Sequence, residues 1–147
     1  MILVVEDDSF KYDRIKVLLE SVGYTDVKWC QSVHSGVQAL STDEFELIIL
    51  DMALPSHDLA ARGGSPTSLP SGGLELIYEL SYAQKAVRLL IITQYPEIEI
   101  EGSYVKLTDA PKRLQELYRT PVMRVIQFKQ NDSTWEQGLA DAMKEIP

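Results

Sequence analysis

Ile2-Leu3-Val4-Val5-Glu6-Asp7-Asp8 and Leu47-Ile48-Ile49-Leu50-Asp51 are the stretches whose reading decides the fold. Each is an apolar run without the alternation of a half-exposed strand, the composition of a strand buried on both faces. Each stops at acid. Between them, Ile15, Leu18, Leu19 and Val22 recur at helical spacing and Gly23 supplies a stop. Residues 27–30 then read as a short strand, and residues 32–40 carry Val33, Val37 and Leu40 on one helical face.

Beyond Asp51 the composition changes. Eleven of the nineteen residues in 55–73 are Gly, Ser or Pro, which predicts an exposed loop. Leu74, Ile77 and Leu80 restore helical periodicity, and residues 89–92 form the next buried strand, closing on Thr93. Asp109 is placed as the N-cap of a helix running to about Arg119. Residues 122–128 read as the fifth strand. Ser133-Thr-Trp-Glu136 has the capping-box pattern before a last helix with Trp135, Leu139 and Met143 on one face. Strand and helix thus alternate five times, which predicts an α/β fold: a doubly wound, five-stranded parallel sheet with helices on both faces. No internal repeat and no second domain is visible in residues 1–147.

Composition narrows the function. A hydrophobic fraction of 45% and a charged fraction of 24% are those of an ordinary globular chain. The net charge of −8 argues against nucleic-acid binding, because phosphate backbones attract Lys and Arg. The small basic group Lys112, Arg113, Arg119 and Arg124 reads as solvated faces. Cys30 is the single cysteine, so there is neither an internal disulfide nor a cysteine metal motif. No apolar run approaches a membrane span of roughly 18 residues. A reduced, cytoplasmic protein is expected.

In a doubly wound sheet, ligands bind beyond the carboxyl ends of the strands, where strand order reverses. Those ends deliver Glu6 and Asp7, Asp51, Thr93 and Lys129. Three carboxylates, a hydroxyl and an ammonium would converge there. Crowded carboxylates need a cation, and hard oxygen ligands suit Mg2+. Phosphoryl transfer needs charge neutralisation above all, with Asp51 as nucleophile, Thr93 as donor and Lys129 as counter-charge.

With these residues in place, the sequence resembles the response-regulator receiver family of two-component systems, whose fold is the flavodoxin-like (CheY-like) sandwich with strand order 2-1-3-4-5. Residues 1–8 match its opening strand and acidic pair, and Leu47–Asp51 its phosphoacceptor strand. Pro55, Gly73-Leu-Glu-Leu-Ile77 and Ile91-Ile-Thr93 resemble the family's proline, third helix and switch-hydroxyl strand. The resemblance implies phosphorylation of Asp51 by a sensor histidine kinase or phosphotransfer protein. It also implies Mg2+ held by Asp7, Asp51 and the Ala53 backbone carbonyl, with Glu6 in support. Such a domain is a signalling unit rather than an enzyme, catalysing at most its own phosphorylation and dephosphorylation. Partners would be the kinase and an unknown output protein, and family members commonly form homodimers through the fourth helix and fifth strand.

The departures from the family are specific. Gly73 follows Asp51 by 22 residues where the family has about eight, an insertion of 14. The next helix starts 16 residues after Thr93, leaving an extended segment at 94–109. Within it, Glu97-Ile-Glu-Ile-Glu-Gly has a strand period that fits an extra hairpin before Tyr104-Val-Lys-Leu; an irregular loop is the other reading. Gln130 replaces the proline after Lys129, Ile126 replaces the switch aromatic, and Gln94 replaces the small residue after Thr93. Phe128 could supply a ring, but it would point opposite to Lys129. Ala53 and Tyr95 stand where the family tunes hydrolysis, and neither orients a water well.

Three other functions stand against this one. A degenerate receiver acting as a phosphorylation-independent interaction module fits the insertion and the missing Lys-Pro. A phosphohydrolase using an aspartyl phosphate would need an acid/base Asp at the position of Ala53. Nucleotide binding lacks a Gly-rich loop after the first strand. No stretch after the last helix could hold an output domain. The expectation is therefore a stand-alone regulator or a receiver cut from a longer protein.

Overall fold

The computed structural model describes residues 1–58, 72–85 and 87–146. In chain order its elements are β1 (Ile2–Val5), α1 (Ser9–Ser21), β2 (Val27–Cys30), α2 (Val33–Thr42), β3 (Leu47–Leu50), α3 (Gly72–Tyr82) and β4 (Arg88–Thr93). There follow β5 (Glu97–Ile100), β6 (Ser103–Lys106), α4 (Ala110–Tyr118), β7 (Val122–Gln127) and α5 (Thr134–Lys144). Five strands make one parallel sheet in the order β2-β1-β3-β4-β7. This is the flavodoxin-like order expected from the sequence, with β7 as the fifth sheet strand.

Side chains alternate across a strand, so each apolar run feeds two cores. Leu3, Val5, Ile48, Leu50, Leu89 and Ile91 face one side, where they meet Ala39, Leu76 and Leu114 of α2, α3 and α4. Ile2, Val4, Leu47, Ile49, Leu90 and Ile92 face the other, against Ile15 of α1 and Leu139 of α5. Burying such side chains contributes about 1.5–3 kcal/mol each. That double burial explains why β1 and β3 contain no polar residue.

The segment after Thr93 is a hairpin. β5 and β6 pair antiparallel as a separate two-stranded sheet. Its turn residues Glu101 and Gly102 have φ of +53° and +81°, the positive values that a two-residue I′ turn requires. Ile98 and Ile100 are buried and join the core of α2, α3 and α4, while Glu97 and Glu101 stay exposed. Period-two hydrophobicity decided in favour of the hairpin over the irregular loop.

Asp109 stands at the N-cap position of α4 as expected, though its side chain makes no cap bond; Pro111 sits in the first turn. At α5 the expected capping box is corrected. Ser133 also makes no side-chain cap. Its role passes to Asp132, whose Oδ1 accepts from the Thr134 N–H at 2.8 Å and the Thr134 hydroxyl at 2.6 Å. A reciprocal capping box does occur, at Ser32 and Ser35 of α2. Most of the stretch 55–73 lies outside the described residues.

Candidate functional site

In-register parallel pairing aligns the strand ends. Val5 sits opposite Leu50 and Leu50 opposite Ile91, so Glu6 and Asp51 emerge side by side and Thr93 follows on β4. The backbone continues the ladder, with the Asp51 N–H donating to the Val5 carbonyl at 3.1 Å. Gly73 closes the far side. Its N–H donates to the Met52 carbonyl at 2.8 Å, and a Cβ there would stand 2.6 Å from the Asp51 carbonyl oxygen. Only glycine lets α3 approach this closely.

The three acids after β1 have divided roles. Asp8 caps α1, accepting from the N–H groups of Phe10 at 2.9 Å and Lys11 at 3.4 Å. Glu6 and Asp7 turn to Asp51, and carboxylate oxygens of the three lie within 4.8 Å of one another. Ala53 lies close by, donating its N–H to Asp51 Oδ1 at 3.2 Å. Thr93 is fully buried, and its hydroxyl accepts from the Tyr95 N–H at 3.4 Å.

A cleft of about 600 Å³ opens above them, bordered by Glu6, Asp7, Ala53 and Thr93 on one side. Ile98 and Tyr104 of the hairpin form the opposite wall, and Gln94 and Tyr95 stand exposed at its rim. Asp51 itself is 3% exposed.

Lys129 is not brought to this group. It is exposed and borders a different cleft with Met123, Gly138 and Trp135, its charge helping to hold the Asp132 carboxyl below its ordinary range behind the Thr134 hydrogen bonds. Phe128 takes the inward position at the end of β7, its N–H donating to the Thr93 carbonyl at 2.8 Å. Ile126, the residue at the switch-aromatic position, packs half-buried against the core of α1 and α5.

The ammonium at the site is Lys11, which the sequence reading missed. Its Nζ lies 2.6 Å from Glu6 Oε1, 3.3 Å from Asp51 Oδ2 and 2.8 Å from the Ile92 carbonyl, with 2% of the side chain exposed. The signal was available. Stepping back four residues from Ile15 along the buried stripe of α1 reaches Lys11, whose side chain leans toward the helix N-terminus.

Burial, then repulsion from Asp51, pushes the Glu6 carboxyl up to about 8 against the pull of Lys11. Burial also raises the Asp51 carboxyl, opposed chiefly by Lys11. Three carboxylates against one ammonium leave two formal negative charges on hard oxygen donors. That donor set fits a divalent ion of the Mg2+ type, which prefers carboxylates and retains water ligands.

Residues 2–108 match the response regulator receiver domain family, and the chain belongs to it. It is therefore a CheY-like receiver domain of two-component signalling. It is 38% identical over 148 residues to the Detocs response regulatory protein DtcB of Vibrio alginolyticus, covering 98% of this chain and 99% of that one. A CheY-like receiver domain protein from Methanospirillum hungatei superposes with a TM-score of 0.66 at 20% identity, over 98% of this chain and 90% of that one. TrrA of Thermotoga maritima, a response regulator solved in complex with Mg2+-BeF, gives a TM-score of 0.61 at 16% identity and 96% coverage of both chains. No helix among the described residues is long and apolar enough to cross a membrane.

Proposed function

We propose that residues 1–147 act as one receiver unit that takes a phosphoryl group onto Asp51 from a phosphohistidine of a sensor kinase or phosphotransfer protein. The observation carrying this reading is the meeting of Glu6, Asp7 and Asp51 oxygens within 4.8 Å, with Glu6 and Asp7 lining an open cleft. Glu6, Asp7, Asp51 and the Ala53 carbonyl would hold Mg2+. When bound, that ion supplies charge neutralisation for the phosphoryl oxygens.

The chain's own groups do the rest. An Asp51 carboxylate oxygen is the nucleophile, and the Ala53 N–H orients the carboxylate through Oδ1. The buried Thr93 hydroxyl is the donor for a phosphoryl oxygen. The hairpin wall restricts the approach of the phosphodonor. Output then runs through contacts with a partner protein in the cytoplasm.

One observation favours the alternative of a phosphorylation-independent docking module: Asp51 is 3% exposed and already has Lys11 3.3 Å from Oδ2. Intact-mass measurement after treatment with acetyl phosphate and Mg2+ separates the two. A phosphoryl adduct that Asp51→Asn abolishes supports the phosphoacceptor. An unchanged mass in the wild-type protein supports the docking module.

A further inference from the structure

We propose that Lys11 is the ammonium that contacts the phosphoryl group on Asp51, in the role the sequence pattern assigns to Lys129. The inference rests on Asp51 being the phosphoacceptor.

An ammonium has three N–H donors. Here Nζ donates to the Ile92 carbonyl at 2.8 Å and forms ion pairs with Glu6 Oε1 at 2.6 Å and Asp51 Oδ2 at 3.3 Å. The two short contacts anchor Nζ, and the long one points it at the reacting carboxylate. The Phe128 ring centroid lies 5.6 Å from Nζ, so an aromatic face stands where a lysine from the end of β7 would have to enter. Strand alternation puts the next residue, Lys129, on the outside, beside Asp132. The site has thus kept its cation while drawing it from α1 instead of β7.

A purely structural lysine would only neutralise Glu6 and Asp51. Burying an ammonium is costly, and stability alone rarely needs one. Its third donor becomes useful when Asp51 carries a phosphoryl group. In the transfer an Asp51 oxygen–phosphorus bond forms and the donor's phosphorus–oxygen bond breaks, for acetyl phosphate, with the electron pair leaving on acetate. For phosphohistidine a phosphorus–nitrogen bond breaks and the imidazole takes a proton from water. Lys11 stays protonated throughout. It only turns one N–H toward a phosphoryl oxygen.

The test compares acetyl phosphate labelling, read by intact mass, in wild type, Lys11→Met and Lys129→Ala, with the structure of the wild-type protein bound to Mg2+ and beryllium fluoride. Lys11→Met should label roughly a hundredfold more slowly, the scale of losing one charge-stabilising donor. Lys129→Ala should label at the wild-type rate. In the wild-type adduct Lys11 Nζ should hydrogen-bond a fluoride. Wild-type labelling of Lys11→Met, loss of labelling in Lys129→Ala, or an adduct with Lys129 on the fluoride would each overturn the assignment. If Lys11→Met does not fold, the wild-type adduct decides alone. A wild-type protein that forms no adduct and gains no mass instead removes the phosphoacceptor reading itself.

Discussion

The Tyr118 hydroxyl donates to Glu101 Oε1 at 2.5 Å and so ties the tip of the β5–β6 hairpin to the last turn of α4. Burial, then the hydrogen bond to Glu101 and its charge, pushes the Tyr118 hydroxyl up to about 12. The folded state therefore holds this proton more tightly than the unfolded chain. Its contribution is complete below the ordinary value of 10.0 and disappears as pH rises through about 12. Tyr118→Phe should cost about 1 kcal/mol at neutral pH. Melting temperature followed from neutral to strongly alkaline pH should fall more steeply in wild type than in the variant. Parallel curves would show that the bond contributes nothing.

Glu6 has a consequence for stability of the same sign, in a lower pH range. Because its folded value is raised from 4.5 to about 8, its deprotonation opposes folding across that interval. A divalent ion needs the carboxylate free of its proton. Mg2+ binding near neutral pH should therefore release protons and tighten with pH, by up to about tenfold per unit for one linked proton. Titration calorimetry in two buffers of different ionisation enthalpy measures the release. Glu6→Gln should remove it, and identical heats in both buffers for wild type would contradict the linkage.

Gly73→Ala probes the contact between α3 and the phosphoacceptor strand. The added Cβ would meet the Asp51 carbonyl oxygen at 2.6 Å and Met52 Cα at 2.8 Å, both backbone atoms that cannot rotate away. Overpacking of this kind costs about 1–3 kcal/mol. Urea unfolding should show that loss, and Mg2+ affinity should fall with it as the Asp51 backbone shifts. A variant as stable as wild type would mean that α3 slides freely.

Trp29 offers a reporter of the site. Its indole N–H donates to the Glu6 carbonyl at 2.7 Å, and its ring stacks on Tyr12 with centroids 4.1 Å apart. Mg2+ should change the tryptophan emission, and Trp29→Phe should abolish that change while leaving Trp135 emission in place. The lost hydrogen bond should lower stability by about 1 kcal/mol. A Mg2+ response surviving in Trp29→Phe would place its source at Trp135.

The phosphoryl group on Asp51 should be long-lived. Ala53 has no polar side chain, and Tyr95 is 51% exposed at the cleft rim, so neither is set to orient an attacking water. Loss of the mass adduct over time measures the half-life. Decay within seconds in the isolated protein would oppose this reading.

Much of this was legible in residue order. Continuous apolar runs at Ile2–Val5 and Leu47–Leu50 read as strands buried on both faces, their alternation with helices implied a doubly wound parallel sheet, and the family resemblance implied its order. Because parallel strands start and end together, the acids after them had to meet. The period of Glu97–Ile100 likewise carried the hairpin, once Ile98 and Ile100 found a core to enter. Local capping patterns were weaker guides: Ser133 holds the N-cap position of α5 without a side-chain bond, and Asp132 accepts from the Thr134 N–H.

By itself, then, the order of residues determined the sheet, its carboxyl edge and the meeting of Glu6, Asp7 and Asp51, because periodicity and alternation are properties of the chain alone. Only the tertiary structure decided which lysine enters the site. That depends on which of Phe128 and Lys129 the pleat of β7 turns inward, and on how α1 docks to bury Lys11. Both are set by packing between elements distant in sequence, which no local pattern records.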